Sequence, residues 1–141
     1  MPSNIALSAF DNINVGAVVI DKENQIVFFN KLAGEFLHQD TKSRISTSIF
    51  LCHPERAEPG VLDMIEKMKS GELEKYQGWV NFRGRVFYEY IYPLHDENGA
   101  YVGAVAEFHD VPEKLAAAKK TKDFNLPEMH GKGPSSPRSP R

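Results

Sequence analysis

Cysteine is nearly absent from this chain. Cys52 is the only one, so no disulfide can close within the chain, which fits a reducing, cytoplasmic setting. A four-cysteine iron–sulfur cluster and a Cys-x-x-Cys-His attachment site for covalent haem are excluded with it. No apolar run approaches the roughly 20 residues that cross a bilayer. The start, Met1-Pro2-Ser3-Asn4, has neither the basic nor the apolar block of a signal peptide. Charge of either sign is not in excess: 17 basic against 19 acidic residues leave a formal charge of −2. Bulk attraction to nucleic acid is therefore not expected. There is no nucleophile–base pair, no phosphate loop and no pair of carboxylates at useful spacing, so the chain does not read as an enzyme.

What is present is the composition of one soluble α+β domain: 141 residues, 41% hydrophobic and 26% charged. Residues 3 to 12 carry a loose apolar stripe and read as a short helix or a half-ordered lead. Gly16 to Asp21 is rich in β-branched residues and predicts a strand. A turn at Lys22-Glu23-Asn24 leads to a second strand, Gln25 to Phe29, and the two make a hairpin. Asn30 is a good N-cap for a helix over Lys31 to His38. Gln39 to Ser48 is polar and reads as a loop. Pro59 opens the next helix, in which Val61, Leu62, Ile65 and Met68 recur at helical spacing and Gly71 is the stop.

The second half predicts three strands: Gly78 to Phe82, Arg85 to His95 and Ala100 to His109. Arg83-Gly84 and Asp96-Glu97-Asn98-Gly99 connect them. Asp110, Pro112 and Glu113 launch a last helix to about Lys120. From Thr121 the composition shifts to Pro127, Pro134, Pro137 and Pro140, with four basic and two acidic residues. The expected organisation is a domain over residues 1–120 and a disordered tail over 121–141. The expected architecture is a five-stranded antiparallel sheet with the helices on one face and the first two strands beside the last three.

This order of elements, with Gly16-Ala17-Val18-Val19-Ile20-Asp21 early, Asp96-Glu97-Asn98-Gly99 before the last strand and Asp110-Val111 at the exit, resembles a PAS domain. The resemblance covers roughly residues 5 to 118. A narrower one lies in Leu51-Cys52-His53-Pro54-Glu55-Arg56 followed by an amphipathic helix. That segment resembles the His-Pro-Glu segment of haem-binding PAS domains in bacterial carbon-monoxide-responsive regulators, where the histidine ligates iron. With the Trp-containing strand Gly78-Trp79-Val80-Asn81, the Cys-His-Pro segment also resembles PAS domains of a family of uncharacterised bacterial proteins. The resemblance implies a cytoplasmic sensor that holds haem b through His53. It would respond to CO, NO or O2, or to iron redox state, and signal to a partner protein, as a homodimer, with no membrane contact. The chain departs from the regulators where their methionine ligand stands, since Trp79 is near that place. It also has no DNA-binding domain, so no direct nucleic-acid contact is expected.

The residues themselves leave alternatives open. The proline after His53 favours an extended backbone there, and in an extended segment Cys52 and His53 would point to opposite sides. His53 is either an iron ligand or a structural histidine between two helices. Cys52 is either an alternative ligand or a small buried residue. Met64 could line a cofactor cavity or fill a gap. Tyr90, in the alternation Tyr88-Tyr90-Tyr92, could wall a flat cofactor, as could Trp79; packing serves as well. The alternative function is a PAS interaction or dimerisation module that binds another small molecule or no cofactor.

Overall fold

The computed structural model describes residues 4–120. Helix α1 spans Asn4–Asn12, followed by strands β1 (Gly16–Asp21) and β2 (Ile26–Phe29). Helices α2 (Lys31–Leu37) and α3 (Thr41–Arg44) come next, then two 3-10 turns, Ile49–Cys52 and Glu55–Ala57, and helix α4 (Glu58–Ser70). Strands β3 (Tyr76–Phe82), β4 (Arg85–His95) and β5 (Tyr101–Asp110) complete one compact unit. Helix α5 (Val111–Lys120) belongs to a second unit; Glu113 lies in its first turn and Lys119 and Lys120 in its last, the order its dipole favours. The expected disordered tail, 121–141, lies outside the described residues. No helix among the described residues is long and apolar enough to cross a membrane.

The five strands form one antiparallel sheet in the order β2-β1-β5-β4-β3, as expected. The seam between the two halves of the chain is the β1–β5 pair, running from Gly16↔Phe108 to Asp21↔Gly103. Gly103 is glycine because a Cβ there would stand 2.1 Å from the Ile20 carbonyl oxygen. One sheet face carries Val18, Ile20, Ala104 and Phe108 into the core, against Ala33 of α2 and Ile65 and Met68 of α4. On the other face Ala17, Val19 and Val105 are buried as well, and Phe10 of α1 meets Phe28 edge-on at 4.8 Å.

Asn30 joins three elements. Its side-chain oxygen accepts from the amides of Ala33 (3.0 Å) and Ala17 (2.8 Å). Its amide nitrogen donates to the carbonyls of Phe10 (3.1 Å) and Val15 (2.9 Å). The N-cap expected for α2 is thus also the tie between that helix, β1 and the end of α1.

Three expectations change in detail. The stretch Gln39 to Ser48 is not all loop, because Asp40 accepts from the Lys42 amide and caps the single turn of α3. Helix α2 ends one residue early, with His38 in the left-handed conformation (φ 55°). Leu62 does not join the buried stripe of α4 but is 45% exposed; Ile65 and Met68 are the buried pair.

Candidate functional site

A cavity of about 710 Å³ lies between the helical side of the molecule and the sheet. That is within the roughly 300–1,000 Å³ of small-molecule sites. Its helical wall comes from the segment Ile49–Ala57 and from Val61, Met64, Ile65 and Met68 of α4. Its sheet wall includes Val80, Phe82, Glu89, Ile91, Ala106 and Phe108. A smaller groove, about 450 Å³, runs between α1 and β2 past Leu7, Phe10, Val27 and Ile45; Asp11 is its one titratable residue.

His53 stands on the cavity wall and is exposed on its outer side. Its backbone is extended (φ −126°, ψ 152°), as the following proline requires. Its ring Nδ1 is 3.1 Å from the Ile49 carbonyl oxygen. A carbonyl only accepts, so Nδ1 carries the proton and the lone pair of the neutral ring is on Nε2. A backbone carbonyl that fixes the tautomer in this way is the usual support of a metal-bound imidazole.

Cys52 borders the same cavity. The opposite-sides expectation fails because Cys52 ends a 3-10 turn and only His53 is extended. Burial pushes the Cys52 thiol up, with the Arg44 charge pulling the other way. It therefore stays a protonated thiol at neutral pH, a weak ligand. Met64 also lines the cavity, on the α4 wall.

Trp79 and Tyr90 do not line it, which corrects the reading that placed them beside a cofactor with His53. Residues directly paired across an antiparallel ladder share a face. Glu89 pairs with Phe108 and Ile91 with Ala106, both on the core side. Tyr90 therefore shares the opposite face with its partner Glu107, and Trp79 with its partner Tyr88. There the rings of Trp79, Tyr88, Tyr90 and His109 form a chain of edge-on contacts of 4.7, 5.5 and 5.3 Å. Trp79 is 67% exposed. On that face the Tyr92 hydroxyl donates to Glu107, and burial with this bond pushes its pKa up to about 12.

The residue that sequence reasoning missed is Glu89. It is the only acid among the described residues of the cavity wall. Burial pushes its carboxyl up to about 7. The signal was there: Phe87, Glu89 and Ile91 alternate on β4, and an acid flanked by Phe and Ile at i±2 is an acid on a core face.

The donor set fits haem b. Among the described residues no group of three or more His, Cys, Asp or Glu side chains could hold a bare metal ion. Haem iron asks the protein for a single axial donor, which the tied imidazole of His53 can be. The apolar walls suit the macrocycle, and Arg56, also on the wall, suits its carboxylates.

Comparison with known proteins agrees with this fold. A family model described as "PAS domain" matches residues 8–112. Among solved structures, the chain is similar to a C-terminal domain from Streptococcus mutans, with 19% identity and a TM-score of 0.67 over 79% of this chain and 87% of that one. It is similar to the PAS domain of a protein from Colwellia psychrerythraea, with 18% identity and a TM-score of 0.61 over 76% and 94%. A sensory box sensor histidine kinase from Vibrio cholerae matches with 15% identity and a TM-score of 0.58 over 76% and 89%. Among curated proteins, none matches this chain.

Proposed function

Because the chain belongs to the PAS-domain family, we propose that it is a cytoplasmic sensor module that holds haem b in its cavity through His53. The observation that carries this reading is the His53 ring on an apolar cavity wall, with Nδ1 tied to the Ile49 carbonyl. Bound haem would supply an iron that takes CO, NO or O2 or changes oxidation state. The chain's own residues do the rest. Ile49 orients the imidazole, and Pro54 stiffens the backbone that carries it. The α4 and sheet walls exclude water, and Arg56 offers a charge partner for a carboxylate. A change at His53 reaches α4 through the short Glu55–Ala57 turn, and the sheet through the walls the ligand touches. The role is recognition and signalling to a partner protein, not catalysis. One of the similar structures is itself a sensor histidine kinase.

The test is an absorption spectrum of the protein made with haem supplied, beside His53→Ala. A sharp Soret band that disappears or shifts in the variant is expected. No band, or a band indifferent to the substitution, overturns ligation by His53.

A second reading, a PAS interaction or dimerisation module without haem, is favoured by a different observation: the exposed Trp79 at the head of a half-buried aromatic chain on the far face of the sheet. Sedimentation of wild type and Trp79→Ser distinguishes it. A concentration-dependent dimer that weakens in the variant while no Soret band forms would support this reading over the first.

A further inference from the structure

Resting on the haem reading above, we propose that Glu89 is the recognition group of the sheet wall, hydrogen-bonding the small polar ligand (CO, NO, O2 or water) taken up beside a haem held by His53. Glu89 sits in the middle of β4, flanked on its own face by Phe87 and Ile91. Phe87 is fully buried and Ile91 packs against the core. Its partner across the β4–β5 ladder is Phe108, and its partner across the β3–β4 ladder is Gly78. Neither offers a polar side chain to bond it. Among the described residues its carboxyl has no hydrogen-bond or ion-pair partner, while it does face the cavity.

An acid in such a place costs stability unless something bonds it. A protein that keeps one in an otherwise apolar wall has a use for it there, because departures from local consistency gather at functional sites. The two walls also differ in kind. The helical wall carries the donor nitrogen of His53 and the cation of Arg56; the sheet wall carries Glu89. A carboxyl raised to about 7 is substantially protonated at neutral pH. A protonated carboxyl can donate to a diatomic ligand or accept from water.

The infrared C–O stretch of the reduced, haem-loaded, CO-saturated chain reads this directly. A donor to the CO oxygen strengthens back-donation and lowers the stretch. Glu89→Leu is therefore expected to move the band to higher wavenumber, and Glu89→Gln, which keeps an N–H donor, to leave it nearer wild type. Glu89→Ala gives the same readout should leucine overfill the wall. One band position in all the variants overturns the role of Glu89 and leaves haem ligation by His53 standing. A chain that takes up no haem, or whose Soret band ignores His53→Ala, overturns both, and does so in the visible spectrum before any infrared measurement.

Discussion

Asn30→Ala is expected to cost about 4 kcal/mol of folding stability, on the scale of buried polar groups left without partners. Asn30 is 1% exposed, so water does not readily replace what its side chain supplies. Alanine would strip the acceptor from two amides at once, those of Ala17 and Ala33. It would also leave the carbonyls of Phe10 and Val15 without their donor. Each buried group so orphaned costs about 1–3 kcal/mol, and removal of an N-cap alone costs about 0.5–2 kcal/mol. These terms overlap, because the Ala33 amide is counted in both, and local relaxation recovers part of them. The expected total is still a large fraction of the roughly 5–15 kcal/mol that holds a domain together. Urea unfolding at pH 7 measures it. Asn30→Asp is the informative companion: it keeps the acceptor for Ala17 and Ala33 but sets a carboxylate oxygen against two carbonyls. It should lose stability comparably at pH 7 and regain some on acidification. A loss under about 1 kcal/mol in the alanine variant would show that the joint between α1, β1 and α2 does not depend on this side chain.

Glu89→Gln is expected to act in the opposite direction, with a gain that builds as pH rises from about 4.5 to about 7 and persists above that. Burial raises the Glu89 carboxyl from 4.5 to about 7 in the folded protein. Between those values the folded chain holds a proton that the unfolded chain has released. The contribution of this group to stability is therefore fully present below the unfolded pKa and is lost as pH rises through the folded one. Glutamine has the same shape and never ionises. At pH 8 the variant should be more stable than wild type by about 2 kcal/mol, a figure reduced from the full pKa difference because the carboxyl keeps some access to water. Near pH 5 the two should differ little. The other titratable groups of the cavity, Cys52, His53, Arg56 and Tyr76, are common to both proteins and cancel in the comparison. Urea midpoints of the haem-free proteins at pH 5 and pH 8 decide the matter. Parallel losses in both proteins between the two pH values would mean that Glu89 is not a desolvated acid.

These two side chains also mark how far the sequence could be read. Asn30 was legible as a cap because an asparagine stood between a β-branched run and a helical stripe. Its second task, holding Phe10 and Val15, lies in contacts 20 and 15 residues away, which no local pattern reveals. The strands were legible from β-branched and aromatic runs, and the two later turns from Gly84 and Gly99. The faces of β4 were harder. Tyrosines at 88, 90 and 92 form the conspicuous alternation, and aromatic residues draw a reader toward the core. Their hydroxyls suit a face that meets water, however, and the quieter series Phe87, Glu89, Ile91 is the one that turns inward. His53 was found because a proline restricts it. Its placement beside Cys52 was not, since the rule that neighbours point apart holds for strands and the turn before His53 is 3-10.

The β1–β5 seam carries a consequence for how the chain reaches this structure. Val18 pairs with Ala106, so the middle of the sheet joins its first strand in chain order with its last. The hairpins β1–β2, β3–β4 and β4–β5 can form locally, but none of them encloses the core. Enclosure waits for a closure that spans most of the domain and is opposed by the chain entropy of that long loop. A high share of such distant pairings slows folding. A chain still short of Tyr101 lacks the strand that joins its β1–β2 and β3–β4 hairpins, and the edge of β1 that pairs with β5 stays bare. The emerging polypeptide is therefore most open to misassociation during the interval before β5 arrives.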